Sequence, residues 1–196
     1  MLPRIVSLSC AYALSHAHAP GCTRAPTHPM YRMPKNPRGR PDEPPRAIAA
    51  RRLQVRRSGV HGRGVFAMRD IPEGERLIEY KGEVIDWPEA LRRHPHDPSQ
   101  PNHTFYFHLD DGRVIDGNVD GNASRWINHA CEPNCEADEI DGRIFIRALR
   151  DLRAGEELFF DYRLVIDERM TARLKREYAC RCGSPRCRGT MLASKR

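Results

Sequence analysis

The chain is 196 residues long, 39% hydrophobic and 30% charged, with a formal net charge of +7. That length suits one ordinary domain plus appendages, with core enough to fold without disulfide stapling. No stretch approaches the roughly 20 consecutive apolar residues of a helical membrane span, which excludes that class. The net charge conceals a division. Residues 1–57 hold 11 Lys and Arg against 2 acids, 58–162 hold 12 against 21, and 163–196 hold 10 against 3. An acidic centre of this kind excludes a uniformly basic nucleic-acid binder. Seven cysteines, an odd number, argue against a complete disulfide framework, and three of them crowd into Cys180-Arg-Cys182-Gly-Ser-Pro-Arg-Cys187. That clustering points to a metal in a reducing compartment. Arginine outnumbers lysine 29 to 4, a bias of GC-rich coding sequences that fits a bacterium and a cytoplasmic location.

In chain order, residues 1–52 are rich in Pro, Ala, Arg and His without apolar periodicity and read as a disordered basic tail. Arg4, the apolar run Ile5–Leu14 and Ala17-His18-Ala19 imitate a secretory signal. Pro20 directly after the cut and the thiolate cluster argue against export, and Met30 or Met33 is the better start. Arg51-Arg52 and Arg56-Arg57 could touch nucleic-acid phosphates weakly and without sequence preference, although such a block is more often a solvated linker. From Leu53 the chain turns into short strand-like runs at 64–68, 76–80, 104–109 and 113–116. Asp111-Gly112 and Asp141-Gly142 each sit between such runs, a strong hairpin signal, and Pro72-Glu-Gly74 and Ala154-Gly155 are further turns. Residues 86–103 read as a loop with a short helix at most. Met170, Leu174 and Tyr178 fall at i, i+4 and i+8, so the spacing predicts one amphipathic helix over 168–178. The sum is a mainly β body with short helices and a cysteine-bearing C-terminal flap, expected to be monomeric.

Three segments carry chemistry. C-x-C-x4-C supplies three thiolates, whereas structural zinc is nearly always four-coordinate, so a fourth ligand must come from Cys131, Cys135 or a histidine; buried thiols without metal are the alternative. Ser58-Gly-Val-His-Gly-Arg-Gly-Val-Phe66 is a glycine-rich loop entering a strand, which would let a ligand approach the backbone, although most such loops are only turns. It lacks the P-loop lysine and a surrounding βαβ unit. Gly155-Glu-Glu-Leu-Phe-Phe-Asp-Tyr162 is either core packing with a polar tip or the wall of an aromatic channel closing on an amine.

Taken in order, the text Gly62–Phe66, Tyr80-Lys-Gly-Glu-Val-Ile85, Asp116, Gly121-Asn-Ala-Ser-Arg-Trp-Ile-Asn-His-Ala-Cys-Glu-Pro-Asn-Cys135, Gly155–Tyr162 and Cys180–Cys187 resembles the SET-domain family of protein lysine methyltransferases. The flavour is trithorax-like, without the cysteine-rich pre-SET. The resemblance implies a SET fold of small curved sheets around a C-terminal pseudoknot, plus a zinc-bound post-SET flap. Its divisions would be a SET domain at 53–162, a linker helix at 163–178 and a post-SET zinc segment at 179–196. It implies that Gly62, Arg63, Gly64, Asn128 and His129 hold S-adenosylmethionine, with Arg125 supporting the pocket and Met191 or Leu192 closing over it. Tyr162 would be the catalytic tyrosine, and Tyr80 and Phe160 would line the lysine channel. Cys131, Cys180, Cys182 and Cys187 would hold one structural Zn2+, leaving Cys135 spare. The implied substrate is a basic protein or peptide, such as a histone or a histone-like protein, which suits an acidic body. Relatives carrying Phe at the position of Phe160 tend to add more methyl groups than those with Tyr. Phe105-Tyr106-Phe107 departs from the family's usual Tyr-x-Phe, which withholds a role from Tyr106. The competing reading is a catalytically weak SET-fold module that binds basic peptides or is tethered to nucleic acid by its tail.

Overall fold

A computed structural model describes residues 4–5, 52–94, 104–166 and 169–193. The tail 6–51, with its signal-like run and the alternative starts, lies outside the described residues, and so do 95–103. The chain divides into two compact units; the smaller, 10–50, falls wholly among the undescribed residues.

The body is built from small sheets. β2 (Leu53–Arg57) and β3 (Arg63–Ala67) form an antiparallel hairpin, with Val55 opposite Val65 and Arg57 opposite Arg63. Its tip closes where the Ser58 amide donates to Gly62 O at 3.0 Å, with Gly62 at φ +48°, a conformation that favours glycine. β4 (Arg76–Tyr80), β9 (Cys135–Ile140) and β10 (Arg143–Ala148) form a second sheet in the order β4-β10-β9. Asp141 and Gly142, at φ +52° and +70°, make the β9–β10 turn left-handed at both central residues, as the sequence predicts for a two-residue hairpin. The third sheet runs β1-β6-β7-β5, from β5 (Glu83–Ile85), β6 (Tyr106–His108), β7 (Val114–Asp116) and the two-residue β1 (Arg4–Ile5) on the free edge of β6. Asp111-Gly112 turns β6 into β7, with the Leu109 amide on Arg113 O at 2.8 Å.

The centre is a parallel pair, β8 (Asn128–His129) and β11 (Phe159–Phe160), some thirty residues apart in sequence. Asn134 fastens the crossing: its Nδ2 donates to Glu157 O at 2.8 Å and its Oδ1 accepts from the Phe159 amide at 2.8 Å. The segment 157–160 is thus gripped by the 128–135 loop, the knot-like core implied by the resemblance. Around it lie buried Val65, Leu77, Ile127, Ile144, Ile146 and Leu158.

Helices are few. α1 (Trp87–Arg93) starts where Asp86 Oδ1 accepts from the Glu89 amide at 2.9 Å, with a proline in its first turn. It covers a small second cluster of Ile85, Ala90, Tyr106 and Val114. α2 is shorter than the periodicity predicts, Ala172–Glu177 rather than 168–178. Thr171 is its N-cap, with Oγ1 accepting from the Leu174 amide at 3.2 Å, so helical geometry begins only after it. Leu174 and Tyr178 are buried as the spacing requires.

Candidate active site and thiol cluster

Strand alternation decides which aromatics meet. On β6, Phe107 points to the centre and Tyr106 to the opposite face, where its hydroxyl donates to Ala90 O at 3.4 Å. Tyr106 is therefore excluded from the channel, in line with its departure from the family pattern. Tyr80 closes β4 beside Phe107, with ring centroids 5.1 Å apart. Phe160 on β11 stacks on Phe107 at 6.1 Å and meets Tyr162 at 5.0 Å. Four rings from four chain segments thus wall one narrow passage.

Both tyrosine hydroxyls are fixed by backbone. Tyr162 Oη donates to Ile127 O at 2.8 Å, and Tyr80 Oη donates to Phe105 O at 2.8 Å. Burial raises both phenols above their ordinary value, and the two rings reinforce this at Tyr80, so both stay protonated. Close approach at Tyr80 requires Gly117: a Cβ there would lie 2.8 Å from Tyr80 Oη. Asp116, next to it, is buried and accepts from Arg93 Nη1 at 3.1 Å.

The passage opens into a cavity of about 1060 Å3, lined among others by Gly62, Arg63, Arg125, Asn128, His129 and Met191. The structure therefore gathers the residues singled out by the sequence, except Gly64 and Leu192. Gly64 is buried in β3 against Glu157, whose carboxylate leaves no room for a Cβ. Leu192 is core, bridged to Leu164. Asn128 Nδ2 donates to Arg63 O at 2.8 Å and to Glu157 Oε1 at 3.0 Å, tying β8 to the glycine-rich loop. Arg125 donates to Gly117 O at 2.9 Å and lies over Trp126, 4.7 Å from the ring centroid; Arg63 covers the same ring at 4.9 Å. Trp126, Phe107, Glu157 and Asn134 were missed by sequence reasoning. Phe107 could have been found by applying strand alternation to Phe105-Tyr106-Phe107; the other three carry no local signal.

Beside the cavity, the sulfurs of Cys131, Cys180, Cys182 and Cys187 all lie within 4.8 Å of one another. Cys131 is 3.7 Å from Cys180 and 3.9 Å from Cys187. A tetrahedral ion with metal–sulfur bonds of about 2.3 Å has sulfur–sulfur edges of about 3.8 Å, so the cluster fits a thiolate-bound metal. Amides of Arg188 and Gly189 donate to Cys131 and Cys187, at 3.3 and 3.4 Å. Burial disfavours the Cys182 thiolate, yet the Cys131 and Ser184 amides and the neighbouring thiols outweigh it and bring the group down to about 7. Cys135 is buried at the start of β9, apart from the four, and burial pushes its thiol up to about 12.

Two acids moor the cysteine flap to the body. Asp161 takes a bidentate pair from Arg188 at 2.7 and 2.8 Å, and Glu132 accepts from Ser184 and Arg186. His129 stands between the two sites. Its Nε2 is 3.4 Å from Cys131 Sγ, and its Nδ1 accepts from the Tyr162 amide at 3.2 Å. Burial lowers its pKa to about 4, with Asp161 opposing and Arg188 adding to the shift, so the ring is neutral near pH 7.

A family model for the SET domain matches residues 62–163, which span the loop, the passage and both strands of the central pair. The chain belongs to the SET domain family. It is similar to histone-lysine N-methyltransferase trithorax of Drosophila virilis, 40% identical over 138 residues, covering 68% of this chain and 3% of that protein. It is similar to human histone-lysine N-methyltransferase 2B, 40% identical over 138 residues, covering 68% of this chain and 5% of that protein. The H3 lysine-4 specific histone-lysine N-methyltransferase of Kluyveromyces lactis is 41% identical over 138 residues, covering 68% and 13%. Among solved structures, ctPRC2 in an autoinhibited conformation bound to S-adenosylmethionine matches this SET fold with a TM-score of 0.53 at 37% identity. That match covers 58% of this chain and 15% of that one. The chain thus spans only a small part of each relative's length.

Proposed function

We propose that the protein transfers methyl groups from S-adenosylmethionine to the side-chain amine of lysine in a basic protein, such as a histone. The observation that carries this reading is the aromatic passage, with two neutral tyrosine hydroxyls pinned to backbone carbonyls at its centre. The relatives named as histone-lysine methyltransferases and the S-adenosylmethionine-bound neighbour support it. S-adenosylmethionine supplies an electrophilic methyl group on a sulfonium, so positioning does much of the work. Gly62, Arg63, Asn128 and His129 face the cavity that would receive it, with Arg125 behind them.

The hydroxyls of Tyr162 and Tyr80 spend their protons on Ile127 O and Phe105 O. Their oxygen lone pairs are then free to accept from a lysine amine and aim its nitrogen lone pair along the passage. Held neutral by burial, neither phenol serves as a general base. Deprotonation of the substrate falls instead to the dry aromatic walls, which disfavour an ammonium ion. Phe160 offers no hydroxyl to anchor a water, which leaves room for methyl groups on the amine. We therefore assign capacity for di- or trimethylation.

The four thiols would hold a structural Zn2+ as a post-SET element, a reading supported by their spacing. A bacterial, cytoplasmic protein remains our proposal from its arginine excess. Weak nucleic-acid contact through the basic tail is likewise proposed. It is supported by Arg56 and Arg57, exposed on β2, with no carboxylate paired to either among the described residues.

Transfer of tritiated methyl from S-adenosylmethionine to a panel of histones and nucleoid proteins tests the activity. Wild type should label a basic substrate, and Tyr162→Phe should lower kcat by about 100-fold or more, as for loss of one preorganised group. No incorporation by a wild type shown to bind both cofactor and zinc would overturn the enzyme and favour a peptide-binding module. Phe160→Tyr should lower the final methylation state read by mass spectrometry; an unchanged product distribution would sink that assignment.

A further inference from the structure

The His129 side chain lies between two groups that no simple packing role requires it to join. It is 4% exposed, on β8, two residues before Cys131 and paired in register with Phe160. A neutral imidazole carries one ring proton, and the neighbours decide where it sits. A metal-bound Cys131 is a thiolate and can only accept, so Nε2, 3.4 Å away, must then hold the proton. That leaves the Nδ1 lone pair to accept the Tyr162 amide at 3.2 Å, the contact the structure shows. Asp161 Oδ1, 3.5 Å from the same Nδ1, does not compete. Its carboxylate is taken by Arg188 and by the Arg163 amide at 3.1 Å. Without the metal, Cys131 is free to become a thiol, which can donate to Nε2. The proton could then pass to Nδ1 and turn towards Asp161, and the Tyr162 amide would lose its acceptor.

We propose that His129 is a positioning residue that transmits metal occupancy at the four-thiol site to the backbone of Tyr162. The effect on catalysis rests on the methyltransferase reading above; the link to the metal does not. The coupling is local: one imidazole spans both groups, and Tyr162 sits two residues after β11's Phe160.

Nitrogen-15 NMR of the imidazole in the full, Zn2+-loaded chain tests the link without any turnover. The expected result is a proton on Nε2 and a bare Nδ1, changing when Zn2+ is chelated; a proton on Nδ1 in the zinc-loaded protein would overturn the proposal. Two substitutions then separate the two ends. His129→Asn keeps an acceptor near the Nδ1 position and loses the donor to Cys131. It should shift the thiolate-to-metal absorption of Co2+-substituted protein and lower kcat by only a few-fold. His129→Gln keeps a donor that can reach Cys131 and loses the acceptor. It should leave the Co2+ band in place and lower kcat by about 10-fold or more, with KM for S-adenosylmethionine little changed. Equal kcat losses in the two variants, or an effect on KM alone, would mean that the side chain only packs. If wild type transfers no methyl group while the NMR and Co2+ results hold, the methyltransferase reading fails and the metal link stands.

Discussion

In β10, Ile144, Phe145 and Ile146 are at most 9% exposed and lie in a sheet paired on both sides. Between Ala179 and Gly189, by contrast, no residue is buried. What holds that segment is four thiols, amides donating to sulfur, and the Arg188–Asp161 and Arg186–Glu132 pairs. The body is thus ordered by apolar burial, and the flap by a centre that can bind a metal. Because the flap supplies Cys180, Arg181 and Met191 to the cavity wall, a weakly cored element completes a site whose aromatic half is rigid.

The difference predicts separable failures. The largest effect should come from stripping the metal with a chelator, since structural zinc contributes on the order of 10 kcal/mol in small metallo-domains. Hydrogen exchange should show residues 179–193 losing protection while β4, β9 and β10 keep theirs; a body that melts together with the flap would break the contrast. Next, Ile146→Ala should cost about 2–5 kcal/mol by leaving a cavity in the sheet core, read from the denaturant midpoint. The Co2+ spectrum of the refolded variant should match that of wild type.

The smallest effect concerns acid. Burial opposes ionisation of Asp161, but Arg188 and the Arg163 amide together outweigh it, so its carboxyl is held below the ordinary range. A depressed carboxylate contributes its full stabilisation above the unfolded value of about 3.9 and loses it as pH falls through the lower folded value. Asp161→Asn should therefore weaken flap attachment at neutral pH by at most on the order of 1 kcal/mol. It should also remove the low-pH step in the NMR signal of the Arg188 guanidinium; a step that persists would assign the transition to another acid.

Local chemistry was readable where the chain needs only its neighbours. Asp111-Gly112 and Asp141-Gly142 announce their hairpins because left-handed turns demand those residues. The run Cys135-Glu-Ala-Asp-Glu-Ile140 announces nothing. Its acids suit a strand only because Arg147, on the facing β10, pairs with Glu136 and with Asp138, the latter at 2.9 Å. The acidic excess of the body is similarly recast. Glu79, Glu89, Glu132, Glu156 and Asp161 each pair with an arginine in space, so the charge difference overstates the free carboxylates.

By itself the sequence determined the residue types and their order: the glycine loop, Asn128-His129, the thiol spacing and the terminal Tyr162. Those are properties of short segments, fixed by turn geometry, ligand chemistry and periodicity. Only the tertiary structure decided that Phe107 rather than Tyr106 joins the passage, that Ile127 and Phe105 carbonyls anchor the two hydroxyls, and that His129 reaches Cys131 and Tyr162 together. Each depends on strand facing and on the parallel pairing of β8 with β11, a long-range register that no local pattern encodes.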